Sequence, residues 1–285
     1  MPQPFARIHP GLLACLLISF AVCPDLFGQQ PAPGKTVDDT MYESHKVDIE
    51  HARHGKQSIG YRLMRPDEKA GPGPHPLVVF LHGAGERGSD NRRQLTYLPR
   101  WMITDRHRRE HPCFLLAVQC PEDQWWSPHS EEERLIAVAG ESTPSMQALE
   151  EVLEKVIETE KVDANRIYLT GLSMGGYGSW HLAAKHPGRF AAVVPICGGG
   201  VVEDAPRLKD LPIWAVHGTD DRVVPEAQSR RMVDAVRAAG GTVLYTPLEG
   251  VGHDSWTDAY NRIGVIEWMF EQRRDSVSVV EPASE

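Results

Sequence analysis

The sequence predicts an α/β fold with a mostly parallel, doubly wound β-sheet and an antiparallel hairpin at its N-terminal edge. Three features indicate this: short apolar runs of strand length, helical patterns between them, and polar/apolar alternation ahead of them. Apolar runs without alternation are typical of strands that are buried on both faces of a parallel sheet. The runs are Leu77–Leu81, Phe114–Val118, Ile167–Thr170, Ala191–Ile196, Ile213–Val216 and Val243–Tyr245.

The beginning of the chain resembles a targeting segment rather than part of a fold. Arg7 and His9 precede an apolar run over residues 11–23, which has the length of a signal-peptide core and is short for a membrane span. We therefore predict a signal peptide over residues 1–28 and a secreted or periplasmic protein. No stable membrane insertion is expected after cleavage.

The cleavage site stays open between two positions. The mature chain would begin at Pro24 or between Gln29 and Gly34. A lipid anchor on Cys23 is a third possibility, which is disfavoured because Val22 is bulky at a position that usually carries a small residue.

Length and charge bound the rest of the chain. The 285 residues, 41% of them hydrophobic, suffice for one large domain. We predict a linker over residues 29–41, one catalytic domain over residues 42–272 and a flexible tail over residues 273–285. The net charge of -9 argues against nucleic acid as a partner, because phosphate binding requires clustered cations.

The elements are predicted in chain order, beginning with the hairpin. Residues 42–65 alternate polar and apolar side chains around a turn at residues 54–56, and the Gly/Pro-rich residues 71–76 then require a loop.

Two further segments have the pattern of helices. One helix starts at Thr143-Pro144, and another covers residues 225–239 and stops at Gly240-Gly241. The apolar stripe of the first comprises Met146, Leu149, Val152, Leu153, Val156 and Ile157.

A Gly-x-Ser-x-Gly segment lies between a predicted strand and a helix-forming run. It reads Gly171-Leu172-Ser173-Met174-Gly175, and its strand–turn–helix context is that of a nucleophile elbow, in which a strained turn exposes a serine hydroxyl above the sheet. Glycines on both sides let the helix approach the strand closely. Ser173 is the candidate nucleophile.

Two later residues complete the candidate chemistry. Asp221 follows Ser173 by 48 residues and His253 follows Asp221 by 32, each just beyond a predicted strand. The strand ends bring their loops to the edge that carries Ser173. His253 would accept the serine proton and the carboxylate would orient the imidazole. The alternatives are a capping aspartate and an ordinary loop histidine.

A glycine-rich loop supplies candidate oxyanion donors. Residues 82–88 follow the strand Leu77–Leu81, and the backbone N–H groups of Ala84 and Met174 would face a developing oxyanion. A phosphate-binding loop is the alternative, but the nucleotide-binding glycine spacing is missing. His82 is expected to be structural rather than a second base, and His217 is its counterpart on the later strand.

These motifs together resemble secreted carboxylesterases of the α/β-hydrolase superfamily. The resemblance is closest to phospholipase/carboxylesterase and polyhydroxybutyrate-depolymerase-like esterases, some of which are described as peptidases related to prolyl oligopeptidase. It covers Tyr42 to Phe270 and implies ester hydrolysis through an acyl-enzyme. The family places its acid three residues after the glycine of His-Gly, which selects Asp221 over Asp220. The motifs are Gly171–Gly176, Leu81–Gly88, His217–Pro225 and Gly252-His253.

The substrate pocket is less well determined. Trp125 and Trp126 follow the strand Phe114–Val118 and would form an acyl or aryl wall, or else pack a loop into the core. Residues 127–141 form either a short lid or a solvated charge run before an ordinary helix.

Cofactors and cross-links are not expected. Cys113 and Cys120 lie roughly 23 Å apart along one strand, and Cys120 and Cys197 end strands about 14 Å apart, so neither pair forms a disulfide. The histidines lack metal-ligand spacing.

The sequence thus predicts a serine hydrolase that cleaves carboxylic esters and has an ester as its partner. A prolyl-oligopeptidase-like peptidase and a non-catalytic binding protein on the same fold are the alternatives. Residues 42–270 would fill one hydrolase domain without a module that selects peptides by size, which favours esters.

Overall fold

The computed structural model describes residues 39–129 and 142–274, which belong to one compact unit. The predicted signal peptide, nearly all of the predicted linker and most of residues 127–141 lie outside the described residues. Within the described residues, no helix is long and apolar enough to cross a membrane.

In residues 39–129 and 142–274, eight strands form a single sheet in the order β1-β2-β4-β3-β5-β6-β7-β8. The pairs β1/β2 and β2/β4 are antiparallel, and every other neighbouring pair is parallel. The predicted sheet with an N-terminal edge hairpin is confirmed. The strands are β1 Glu43–His51, β2 Gly55–Met64, β3 His75–Leu81, β4 Phe114–Val118, β5 Val162–Leu172, β6 Ala192–Ile196, β7 Ile213–Gly218 and β8 Val243–Leu248.

Helices cover both faces of the sheet. Helices α3, α4 and α5 share one hydrophobic core with the sheet, and α1, α6 and α7 share the other. Successive residues of β3 alternate between the two cores, which is why its sequence is apolar throughout. The helices are α1 Leu98–Met102, α2 Asp105–Glu110, α3 Pro144–Thr159, α4 Met174–Lys185, α5 Ala227–Ala238, α6 Trp256–Asn261 and α7 Val265–Glu271.

Local signals set several of these boundaries. The Thr143 side chain accepts a hydrogen bond from the N–H of Met146 and so caps α3, with Pro144 as its first residue. Gly240, with a φ of 90°, follows the end of α5, as predicted. The short helices α1, α2, α6 and α7 were not predicted, because five to seven residues are too few to show a helical period.

The domain extends slightly beyond its predicted limits. Arg62 donates to the Asp39 carboxylate at 3.2 Å. At the other end, Arg273 pairs with Asp163 at 2.9 Å and the Arg274 N–H donates to the Asn165 carbonyl. Arg273 and Arg274, the two described residues of the predicted tail, thus contact the domain.

Candidate active site

The carboxyl ends of the parallel strands meet at one edge of the sheet. Leu81 of β3 pairs with Gly171 of β5, and Leu172 pairs with Ile196 of β6. Gly218 and Leu248 end β7 and β8 side by side. The loops that follow these five strands therefore open onto the same edge, where ligands bind in such sheets.

Ser173 occupies a sharp turn between β5 and α4. Its φ of 52° and ψ of -117° are strained for a residue with a side chain. A Cβ added to Gly175 would lie 2.0 Å from the Leu81 carbonyl oxygen, and one on Gly171 would lie 2.4 Å from the Gly175 oxygen. Both glycines are needed for this close packing, which fixes Ser173 as the elbow.

Ser173, Asp221 and His253 form a hydrogen-bonded series. His253 Nε2 lies 3.0 Å from Ser173 Oγ, and His253 Nδ1 lies 2.7 Å from Asp221 Oδ2. Because a carboxylate only accepts, Nδ1 carries the imidazole proton and Nε2 is free to take the proton of the serine hydroxyl. The structure thus brings the three predicted residues together.

The backbone around Gly218 determines how the histidine loop reaches the site. A Cβ on Gly218 would lie 2.3 Å from the Val251 carbonyl oxygen and 2.4 Å from that of Gly252. The glycine of the His-Gly pair therefore lets the histidine loop lie directly over the end of β7.

Of the two adjacent aspartates, only Asp221 faces His253. The Asp221 Oδ1 atom accepts the N–H groups of Val223 at 2.8 Å and Val224 at 2.9 Å, which fixes the carboxylate plane. Its side chain has no exposed surface, whereas Asp220 is exposed.

The predicted oxyanion donors lie on neighbouring segments. Met174 is the first residue of α4, so its N–H has no acceptor within the helix and points out of the helix N-terminus. Ala84 begins a 3-10 turn after β3. A Cβ on Gly83 would lie 2.9 Å from the Leu172 side chain, so this turn packs beside the elbow.

His82 holds the loop of the predicted oxyanion donor Ala84 and is unavailable as a base. Its Nε2 accepts the Cys120 N–H at 3.0 Å, and its Nδ1 donates to the Gly83 carbonyl at 2.7 Å. Burial lowers the pKa of His82 to about 4. The ring is therefore neutral at pH 7 and fixed in one tautomer.

Trp126 lies in the core and lines no substrate pocket. Its ring has 0% exposure, packs against Gly178 of α4 and donates from Nε1 to the His82 carbonyl at 3.0 Å. This corrects the predicted role of Trp126 in favour of the core-packing alternative, because its side chain packs against α4 and is shielded from solvent. Trp125 is half-buried, with the Arg87 guanidinium 5.6 Å from its ring centre.

Two aromatic residues that the sequence did not single out lie beside the site. Trp256 meets His253 edge-to-face with ring centres 5.2 Å apart, and Tyr97 meets Trp256 at 5.3 Å. Tyr97 is half-buried. Burial raises the pKa of its hydroxyl, and the negative charges of Glu86 and Asp254 raise that pKa further. The Trp256 ring therefore lies in contact with both Tyr97 and His253.

Residues 68–264 match the family model described as phospholipase/carboxylesterase. This chain belongs to that family. The matched residues contain the oxyanion loop, the serine elbow, the aspartate and the histidine.

Several of the proteins that are similar to this chain are esterases. A crystal structure of a thermostable esterase is 39% identical with a TM-score of 0.72, and the match covers 82% of this chain and 64% of that one. Feruloyl esterase D of Neurospora crassa is 23% identical over 80% of this chain and 75% of its own. A bifunctional acetylxylan esterase/xylanase of Neocallimastix patriciarum is 30% identical over 30% of this chain.

This chain spans only part of the length of some of these proteins. It covers 12% of the acetylxylan esterase/xylanase and 64% of the thermostable esterase. The family match, the similarity to the thermostable esterase and the mostly parallel eight-stranded sheet of the described residues show the α/β-hydrolase fold.

The thiol of Cys197 lies close to the candidate site. Its sulfur, a carboxylate oxygen of Asp221 and a ring nitrogen of His253 all lie within 4.8 Å of one another. Burial raises the pKa of the thiol, which stays protonated, and the Asp221 and His253 atoms already bind each other. Because metal ligation needs a thiolate and free donors, this set does not fit a metal site. The three described cysteines are free.

The buried His82 predicts a loss of stability in mild acid. In the folded protein the pKa of His82 is about 4, below the value of 6.5 for an exposed imidazole. As the pH falls, the unfolded chain therefore binds more protons than the folded protein does. The free energy of unfolding therefore keeps its full value above pH 6.5. It falls by about 3 kcal/mol by pH 4, because the imidazole of the unfolded chain is protonated first. Urea unfolding at both pH values measures this loss.

The variant His82→Gln is the control for this pH dependence. Its amide oxygen can accept the Cys120 N–H, so the loop retains one bond while the titrating group is removed. We expect a smaller loss of stability between pH 6.5 and 4 than in the parent protein. An equal loss in both proteins would assign the effect to other groups.

Proposed function

We propose that this chain is a serine hydrolase that cleaves carboxylic esters through a covalent acyl-enzyme. One observation carries the proposal: His253 links Ser173 Oγ at 3.0 Å to Asp221 Oδ2 at 2.7 Å, on the strained turn of an elbow. Membership of the phospholipase/carboxylesterase family supports the same chemistry.

The proposed reaction follows from the proton positions. Ser173 Oγ attacks the ester carbonyl while its proton passes to His253 Nε2, and Asp221 stabilises the resulting imidazolium. The N–H groups of Ala84 and Met174 would stabilise the oxyanion. His253 then protonates the leaving alcohol, and a water molecule that His253 deprotonates releases the acid from Ser173.

A fluorophosphonate probe distinguishes this proposal from a non-catalytic binding protein. Such a probe phosphonylates only an activated serine, so we expect labelling at Ser173 and complete loss of ester hydrolysis. An unlabelled protein that still binds esters would support the binding alternative.

We predict hydrolysis of short-chain or aryl esters in preference to peptide amides. The aromatic side chains of Tyr97 and Trp256 lie next to His253 and would offer a face for an aryl group. Two similar proteins are named as a feruloyl esterase and an acetylxylan esterase/xylanase.

A substrate panel measures this preference. It contains p-nitrophenyl esters of increasing chain length, feruloyl esters, acetylated sugars and proline-containing peptide amides, with fluorophosphonate-inactivated protein as the blank. A kcat/KM higher on peptide amides than on every ester would identify a peptidase instead.

We further propose that the chain is exported after cleavage of residues 1–28 or of a shorter leader ending at Cys23. The charged and apolar pattern of these residues supports this proposal. N-terminal sequencing of the mature protein and fractionation of the native host test it. Unprocessed protein in the cytoplasm would contradict it.

A further inference from the structure

A second histidine contacts the carboxylate of the proposed site. His217 Nε2 lies 3.2 Å from Asp221 Oδ2, the same oxygen that binds His253. Neither the His217 nor the Asp221 side chain has any exposed surface. His217 therefore cannot touch a substrate, and any effect it has on the reaction passes through Asp221.

The position of the ring proton on His217 follows from its neighbours. Nε2 faces two acceptors, Asp221 Oδ2 and the Val224 carbonyl at 3.0 Å. Neither acceptor can donate, so Nε2 must carry the proton. Nδ1 lies 2.7 Å from Ser229 Oγ, whose one hydroxyl proton goes either to Nδ1 or to the Gly198 carbonyl at 2.8 Å. In a neutral ring with its proton on Nε2, Nδ1 is the acceptor of that hydroxyl proton. Burial lowers the pKa of His217, which favours this neutral ring.

Ser229 ties the histidine to the rest of the site. Its Oγ is 2.8 Å from the Gly198 carbonyl, on the loop that follows β6. A Cβ on Gly198 would lie 2.6 Å from the backbone of Gly176, two residues into α4 from Met174. One set of contacts therefore connects α5, His217, Asp221 and the elbow helix.

We propose that His217 is a positioning residue whose Nε2–H donates to Asp221 Oδ2 and limits how strongly that carboxylate attracts the imidazolium of His253. The proposal rests on the proposed ester hydrolysis. The two N–H groups on Oδ1 keep the carboxylate in place without His217. Removing the His217 donor therefore changes the negative charge that Asp221 presents to His253 more than it changes the position of the carboxylate.

The direction of the effect follows from this charge. Without the His217 donor, the Asp221 carboxylate carries more uncompensated negative charge, which favours the protonated form of His253. The pKa of His253 should therefore rise, and the acid limb of kcat/KM should move to higher pH. The other groups around the two imidazoles are unchanged: Cys197 and Asp254 near His253, and Glu226 near His217.

Nitrogen-15 NMR of histidine-labelled protein tests the proton position directly and without substrate. We expect His217 in the parent protein to have a protonated Nε2 and an unprotonated Nδ1 at neutral pH. A proton on Nδ1 alone would overturn the proposal.

Substitutions at position 217 test the coupling. In His217→Leu, we expect the pKa of His253, from NMR titration and from the acid limb of kcat/KM, to rise by about 0.5–1 because a hydrogen bond to a charged group is lost. KM should not change. His217→Gln places an amide donor near the position of Nε2 and should restore the parent value.

The control is Ser229→Ala, which removes the partner of Nδ1 and leaves Nε2 on Asp221. It should shift the pKa of His253 less than His217→Leu does. An unchanged or lower pKa in His217→Leu, or no restoration in His217→Gln, would overturn the proposal. If ester hydrolysis itself is absent, the NMR titration still decides the role of His217.

Discussion

Replacement of Ser173 by alanine should lower the rate of ester hydrolysis by about 10⁶, as expected when a serine nucleophile is lost. His253 Nε2 binds Ser173 Oγ at 3.0 Å, and the variant offers it no other hydroxyl at that position. The half-buried serine side chain contributes little packing, so the fold should be retained. Steady-state kinetics on the best ester of the panel measure the loss, and circular dichroism checks the fold.

Ser179→Ala is a matched control on the same helix. Ser179 is buried in α4, where its hydroxyl donates to the Gly175 carbonyl, and it does not contact His253. We expect its activity to stay within about tenfold of the parent protein. If Ser173→Ala retained as much activity as Ser179→Ala, hydrolysis would not proceed through Ser173.

The two aspartates should respond very differently to replacement by asparagine. In Asp221→Asn, the N–H groups of Val223 and Val224 still require an acceptor at Oδ1, so the amide nitrogen takes the position of Oδ2. That nitrogen donates to His253 Nδ1 and forces the imidazole proton onto Nε2. His253 can then no longer accept the serine proton, and kcat should fall by about 10⁴ with little change in KM.

Asp220→Asn provides the comparison for Asp221→Asn. Asp220 is exposed and its backbone N–H donates to the Val251 carbonyl, a bond that the asparagine retains. Its kcat should stay within about tenfold of the parent value. The kinetics of both single variants decide the assignment, and a larger loss in Asp220→Asn would transfer the role of the acid to Asp220.

Features that depend on neighbouring residues in the chain could be read from the sequence. The apolar runs placed central strands such as β3 because burial on both faces disfavours polar residues there. The glycines around Ser173 identified the elbow because the turn itself excludes side chains, as the 2.0 Å approach at Gly175 illustrates. The family resemblance, in which the acid comes three residues after the glycine of His-Gly, selected Asp221, and the structure places that aspartate against His253.

Features that depend on which segments meet across the sheet could not be read in this way. Trp126 and Trp125 are adjacent in sequence, yet the first is fully buried and the second half-buried, and only the packing of α4 against the end of β3 decides between them. Tyr97 reaches Trp256 from a point 159 residues earlier in the chain, and no local pattern encodes that contact.

The sequence by itself determined the α/β fold, the strands and the chain order of serine, aspartate and histidine, because each follows from local burial or local backbone strain. The tertiary structure decided how the residues pair: His253 with Ser173 and Asp221, and His217 with the same Asp221 oxygen that binds His253. These pairings depend on distances between loops from different strands, which only the assembled sheet fixes. The proton positions in the site depend on those distances in turn.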